Sequence, residues 1–171
     1  MAFVAMASAV AGTIASSAEY NKVVGNVNDL NTRLILREGT AASNTQNTSG
    51  TTTSGTYTAT LSGGTTCSFT FVAPGSGSVI VNNNCNVANS GANLSLCGFE
   101  IRAGGTVGSG TVVFGVDNNE SLIAGQTQAN ISRSRLITGL TPGSTYNIRQ
   151  LFAVTGGTGT FSSKHLNVVP A

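Results

Sequence analysis

Tyr20, Val23, Val27, Leu30 and Leu34 recur at steps of three and four, which puts them on one narrow stripe of a helix with Asn21, Asn28, Asp29 and Arg33 away from it. Just before the stripe, Ser16-Ser17-Ala18-Glu19 has the S-x-x-E spacing in which hydroxyl and carboxylate satisfy exposed N-terminal amides reciprocally. Gly39 supplies a stop. The pattern predicts a helix over residues 17–38. Its stripe is an a/d seam, with Tyr20, Val27 and Leu34 at a, and Val23 and Leu30 at d. The seam is too short to associate alone, so a parallel trimeric stalk needs help from the domain that follows. Packing of the stripe on its own domain is the competing reading.

Residues 39–55 are Thr, Ser, Asn and Gly with almost nothing apolar, and read as a polar linker or extended arm rather than core. Beyond Gly55 the period falls to two and turn signals come at sandwich or barrel spacing. Expected strands are 56–61, 67–73, 78–82, 94–103, 111–116, 121–124, 128–138, 145–155 and 159–169, within a knob spanning 56–171. Breaks are expected at Gly63-Gly64, Pro74-Gly75, Asn82 to Asn84, Gly104-Gly105, Asp117 to Asn119, Pro142-Gly143 and Gly156-Gly157. Cys67, Phe69 and Phe71 alternate with Ser68 and Thr70, as do Tyr146 and Ile148 with Asn147 and Arg149, so each strand has one dry and one wet face. No Asp, Glu, Lys or Arg occurs between Glu38 and Glu100. Uncharged strand edges invite edge-to-edge pairing, and oligomerisation is one way to cover them.

The opening segment is apolar but weakly so. Its sizeable side chains are Phe3, Val4, Met6, Val10 and Ile14, and a secretory signal would want positive charge ahead of its apolar stretch, whereas the first Lys is Lys22. The composition is also too weak for a membrane span. Residues 1–16 cannot bury enough surface to fold alone, and are expected to order by docking in a groove of another protein.

Only 8% of the 171 residues are charged and the net charge is +2, with the basic residues dispersed, so no electrostatic footprint for nucleic acid exists. One His and six carboxylates are few for general acid–base work, and no catalytic residue is assigned. Cys67, Cys85 and Cys97 lack zinc-site spacing and read as reduced core thiols; neither a metal nor a cofactor is expected. Asp117-Asn118-Asn119-Glu120 offers oxygens to a hard cation but reads better as a hairpin turn. His165 reads as a structural strand residue. Arg133 and Arg135 alternate and share a face, expected to be a solvated or intersubunit surface, with contact to an anionic glycan or lipid as the alternative. With no Trp and three Tyr, an aromatic sugar platform is poorly supported.

Two stretches carry a resemblance. Residues Gly12 to Asn21 (GTIASSAEYN) with Asn26 to Leu34 (NVNDLNTRL) resemble N-terminal attachment segments of small virion proteins of tailed bacteriophages. Leu136 to Arg149 (LITGLTPGSTYNIR), Gly156 to Phe161 (GGTGTF) and the terminal Val168-Val169-Pro170-Ala171 are similar to the C-terminal strands of phage head-fibre and tail-fibre knobs. The resemblance implies a tumour-necrosis-factor-like or C1q-like antiparallel jelly-roll sandwich preceded by an arm and one short helix. A rival likeness joins Leu140-Thr141-Pro142-Gly143-Ser144-Thr145-Tyr146 to the tyrosine corner of fibronectin type III sandwiches. What the phage resemblance implies is a non-enzymatic, homotrimeric capsid decoration or head-fibre protein located in the virion after assembly in the host cytoplasm. Its docking partner would be the major capsid protein or a tail protein. The alternative is a tail-associated protein that binds a host surface glycan.

Overall fold

The computed structural model describes residues 16–39 and 41–171. A helix, α1, runs Ser17–Glu38, opening with a bond from Tyr20 N–H to Ser16 O at 3.0 Å and ending at Gly39, whose φ of +69° is left-handed. A Cβ at residue 39 would stand 3.0 Å from the Pro74 side chain and 3.1 Å from that of Pro170. The helix therefore leaves the sandwich at the end marked by those two prolines.

Among the described residues ten strands follow: β1 Ala42–Gln46, β2 Gly50–Thr52, β3 Ser68–Val72, β4 Val79–Asn89, β5 Ser95–Ala103, β6 Val112–Phe114, β7 Leu122–Ala124, β8 Ala129–Ile137, β9 Thr145–Val154 and β10 Gly159–Pro170. The first sheet has the order β1-β10-β4-β8, with β2 also on β10; the second has β3-β9-β5-β6, with β7 also on β5. All pairings are antiparallel. The chain changes sheet between β2 and β3, β3 and β4, β4 and β5, stays in the second sheet through β6 and β7, then changes again at β8, β9 and β10. The two strand orders, with β10 and β4 between β1 and β8 and with β9 and β5 between β3 and β6, are those of a double Greek-key jelly roll rather than of a fibronectin-type sandwich.

Three sequence expectations need correction. The segment 39–55 is not a linker, because β1 and β2 both pair along β10 and are collinear interruptions of one edge. The interruption lies opposite a bulge between Ser162 and His165, where Ser163 takes φ +45°. The extra residue resets the alternation and turns Lys164 into the interior. There its Nζ donates to Thr48 O at 2.6 Å and Phe161 O at 3.3 Å, fixing the turn between β1 and β2. The expected break at Asn82 to Asn84 is absent too: all three lie mid-strand in β4, with Asn83 buried and Asn82 and Asn84 on the outer face. The expected strand over 56–61 contributes only isolated bridges, Thr58 to Phe152 and Leu61 to Gly64.

The core is divided at its waist. Val81, Ile148, Leu166 and Phe99 belong to one apolar cluster, and Cys85, Val87, Phe152 and Phe161 to another. Between them on β4, β9 and β10 stand Asn83, Gln150 and Lys164, all fully or almost fully buried. Gln150 Nε2 donates to Asn83 Oδ1 at 2.7 Å, and Asn83 Nδ2 to Cys97 O at 3.3 Å, so most of this belt is paired, as buried polar groups must be. The thiols of Cys67, Cys85 and Cys97 are free and buried.

Candidate functional site

The first candidate surface is α1. Tyr20, Val23, Val27 and Leu30 are 66%, 41%, 57% and 55% exposed, so the apolar stripe does not pack on its own sandwich. The Leu34 side chain, like the docking residues Phe3, Val4, Met6, Val10 and Ile14, lies outside the described residues. Asp29 and Arg33 form an i,i+4 ion pair at 4.0 Å, away from the stripe.

The uncharged edges are not left for a partner alone. Edge strand β1 is stitched across the sandwich to edge strand β3 by Asn44 Nδ2 donating to Ser68 O at 3.0 Å, and to the segment just before β3 by Thr65 Oγ1 donating to Gln46 Oε1 at 2.7 Å. On the opposite side, Arg133 and Arg135 of edge strand β8 reach Glu120 in the loop before β7, at 3.1 Å each. Arg133 Nη1 also donates to Asn119 O at 2.6 Å. These arginines lie on a solvated surface, their side chains 40% and 44% exposed, and from there also clasp the two sheets together. Asp117–Glu120 is a turn, with Asp117 Oδ1 accepting the Glu120 N–H at 3.0 Å, and Tyr57 Oη lies 2.7 Å from Ser121 Oγ above it. His165 pairs in register with Thr45 and Asn84 on the outer face of the first sheet.

A second candidate, missed at the sequence level, lies on the outer face of the second sheet. Glu100 of β5 is opposite Arg149 of β9. Its Oε1 accepts Arg149 Nε at 2.6 Å and Arg102 Nε at 2.9 Å, and its Oε2 accepts Arg102 Nη2 at 3.0 Å. Burial pushes this carboxyl up, but the hydrogen bonds from Arg102 and Arg149, with their charges, outweigh it and hold it below the ordinary carboxylate range. Beside it, the loop 104–111 is organised by buried Asn147, whose Nδ2 donates to Gly104 O at 2.9 Å and Ser109 O at 3.1 Å, while its Oδ1 accepts the Gly108 N–H at 3.0 Å. The signal available in the sequence was the alternation Glu100-Ile101-Arg102, which puts two opposite charges on one face of a strand; that Arg149 joins them is a matter of strand pairing.

Among the described residues no helix is long and apolar enough to cross a membrane. No family model matches the chain, and no curated protein matches it. Among solved structures, it is similar to the CBM22-1 xylan-binding domain of a Paenibacillus barcinonensis protein, at 12% identity and a TM-score of 0.37, covering 79% of this chain and 98% of that one. It is also similar to the family 11 carbohydrate-binding module of a cellulosomal cellulase from Clostridium thermocellum, at 8% identity and a TM-score of 0.25, covering 78% and 88%. What the chain's own geometry defines is a jelly-roll sandwich carried on a helix with a bare apolar stripe.

Proposed function

We propose that this chain is a non-enzymatic structural protein of a tailed-phage particle, a trimeric capsid decoration or head-fibre protein. Three helices associate through Tyr20, Val23, Val27, Leu30 and Leu34, the jelly roll forms the projecting knob, and residues 1–16 dock on the shell. The observation that carries this reading is the stripe on α1, left bare by the chain's own domain. Each buried Val or Leu contributes about 1.5–3 kcal/mol, so three copies have a strong reason to share that stripe. The helix leaves the sandwich next to Pro74 and Pro170, which fits a stalk entering one end of a knob. The resemblance of residues 12–21 and 26–34 to phage attachment segments supplies the setting.

Light scattering on the purified chain is expected to give about three times the 17.2 kDa of one copy. Replacing Val27 and Leu30 by Asp is expected to yield monomers whose sandwich still unfolds at the wild-type midpoint, because unpaired charge in a seam is costly. A wild-type monomer at micromolar concentration overturns the trimer. Deletion of residues 1–16 is expected to abolish incorporation into particles without changing the oligomer. Normal occupancy of the truncated protein would make the knob the docking surface.

A further inference from the structure

Arg102 and Arg149 share one carboxylate but are engaged differently. Arg102 uses its whole guanidinium, since Nε and Nη2 donate to Glu100 and Nη1 donates to Gly110 O at 3.1 Å. Arg149 uses Nε alone. Among the described residues neither its Nη1 nor its Nη2 makes a hydrogen bond, and a quarter of the side chain is open to solvent. The bond to buried Glu100 fixes the plane of the guanidinium, so its outer edge, with two parallel N–H donors, is held ready rather than mobile. Two guanidiniums against one carboxylate leave one positive charge there.

The walls of this spot are neutral and rich in hydroxyls. Ser68 on β3 pairs with Arg149, and Thr70 pairs with Asn147. Thr106 and Ser109 are exposed on the loop that brings Gly108 against Arg149. That loop comes close only because residue 108 is glycine: its φ is +79°, and a Cβ there would stand 2.5 Å from Arg149 Nη1. The Asn147 amide holds the loop in place, so neither wall nor cation has to be organised when a ligand arrives.

We infer that Arg149 is a subsite for the carboxylate of an acidic sugar, such as a uronate or sialate unit within a saccharide chain. The geometry favours this class for three reasons. A planar carboxylate matches the paired donors of a guanidinium edge bidentately. A single net positive charge matches a monoanion, whereas a phosphate dianion would be only half neutralised. Uncharged hydroxyl-bearing walls suit the hydroxyls of neighbouring sugar units, and repel no part of them. Without an aromatic platform the affinity is expected in the millimolar range, about 1 mM for a short oligomer, with tighter binding arising from several copies on one assembly.

The test is an NMR titration of the full chain with an oligogalacturonide, with the fully methyl-esterified oligomer and inorganic phosphate as parallel arms. The carboxylated oligomer is expected to bind and the ester to fail. Arg149→Lys, which keeps the charge and loses the fork, is expected to weaken binding about tenfold, while Arg133→Lys leaves it unchanged. Ser68→Asp, which sets a carboxylate beside the free edge, is expected to abolish binding with the sandwich still folded by its amide spectrum. Absence of binding to the carboxylated oligomer at about 10 mM, binding that survives both Arg149→Lys and Ser68→Asp, or phosphate binding tighter than the oligomer would each overturn the inference.

Discussion

The hydroxyl of Tyr146 accepts the backbone N–H of Thr141 at 2.9 Å, closing the turn between β8 and β9 over a ring stacked on Phe71 at 5.9 Å. The corner suggested by Leu140-Thr141-Pro142-Gly143 is therefore present, but in a jelly roll. Tyr146→Phe removes the acceptor and keeps the ring, so it is expected to cost about 1 kcal/mol. Urea denaturation should show a lower midpoint with an unchanged slope.

The ion cluster at Glu100 predicts a loss of stability in acid. Its carboxyl is held below the ordinary range, so its stabilising contribution is complete above about pH 4 and is lost as pH falls through the depressed folded value. Glu100→Gln is expected to cost about 2 kcal/mol near neutrality, and progressively less at lower pH, in a series of denaturation curves.

At the alkaline end the buried thiol of Cys67 contributes alongside that of Cys97, which burial also raises. Burial pushes the Cys67 thiol up to about 11, against a smaller lowering effect of Lys164. The unfolded chain therefore releases this proton first, near pH 8.5, and the folded state loses stability from there until pH passes about 11. Cys67→Ala should flatten that decline relative to wild type, measured at fixed ionic strength.

Lys164 behaves in the opposite sense. Burial lowers its pKa, and the nearby thiols only partly oppose this, so above the folded value the unfolded chain holds the extra proton and stability rises with pH until about 10.4. In Lys164→Met that rise is absent. The same variant leaves Thr48 O without its donor, and amide hydrogen exchange at residues 47–50 is expected to accelerate.

Much of the sandwich is legible along the chain because it depends on local chemistry. The stripe from Tyr20 and the stop at Gly39 mark α1, and the alternation of Cys67, Phe69 and Phe71 marks β3. Pro142-Gly143 marks the turn before β9. The misread segments are those whose state depends on what lies beside them. Asn82, Asn83 and Asn84 look like a turn, yet β10 and β8 flank them on both sides, and the paired backbone outweighs weak strand propensity. Residues 42–52 have no apolar face of their own and become strands only because β10 offers them an edge.

The candidate sites divide in the same way. The apolar spacing of α1 is a property of the sequence, since a helix sets its own neighbours every three or four residues. That this stripe stays bare is decided by the direction in which the helix leaves Pro74 and Pro170. The union of Glu100, Arg102 and Arg149, and the inward turn of Lys164 at the β10 bulge, belong wholly to the tertiary structure. Strand register joins residues far apart in the chain, and one extra residue in a strand reverses which face the following side chains occupy.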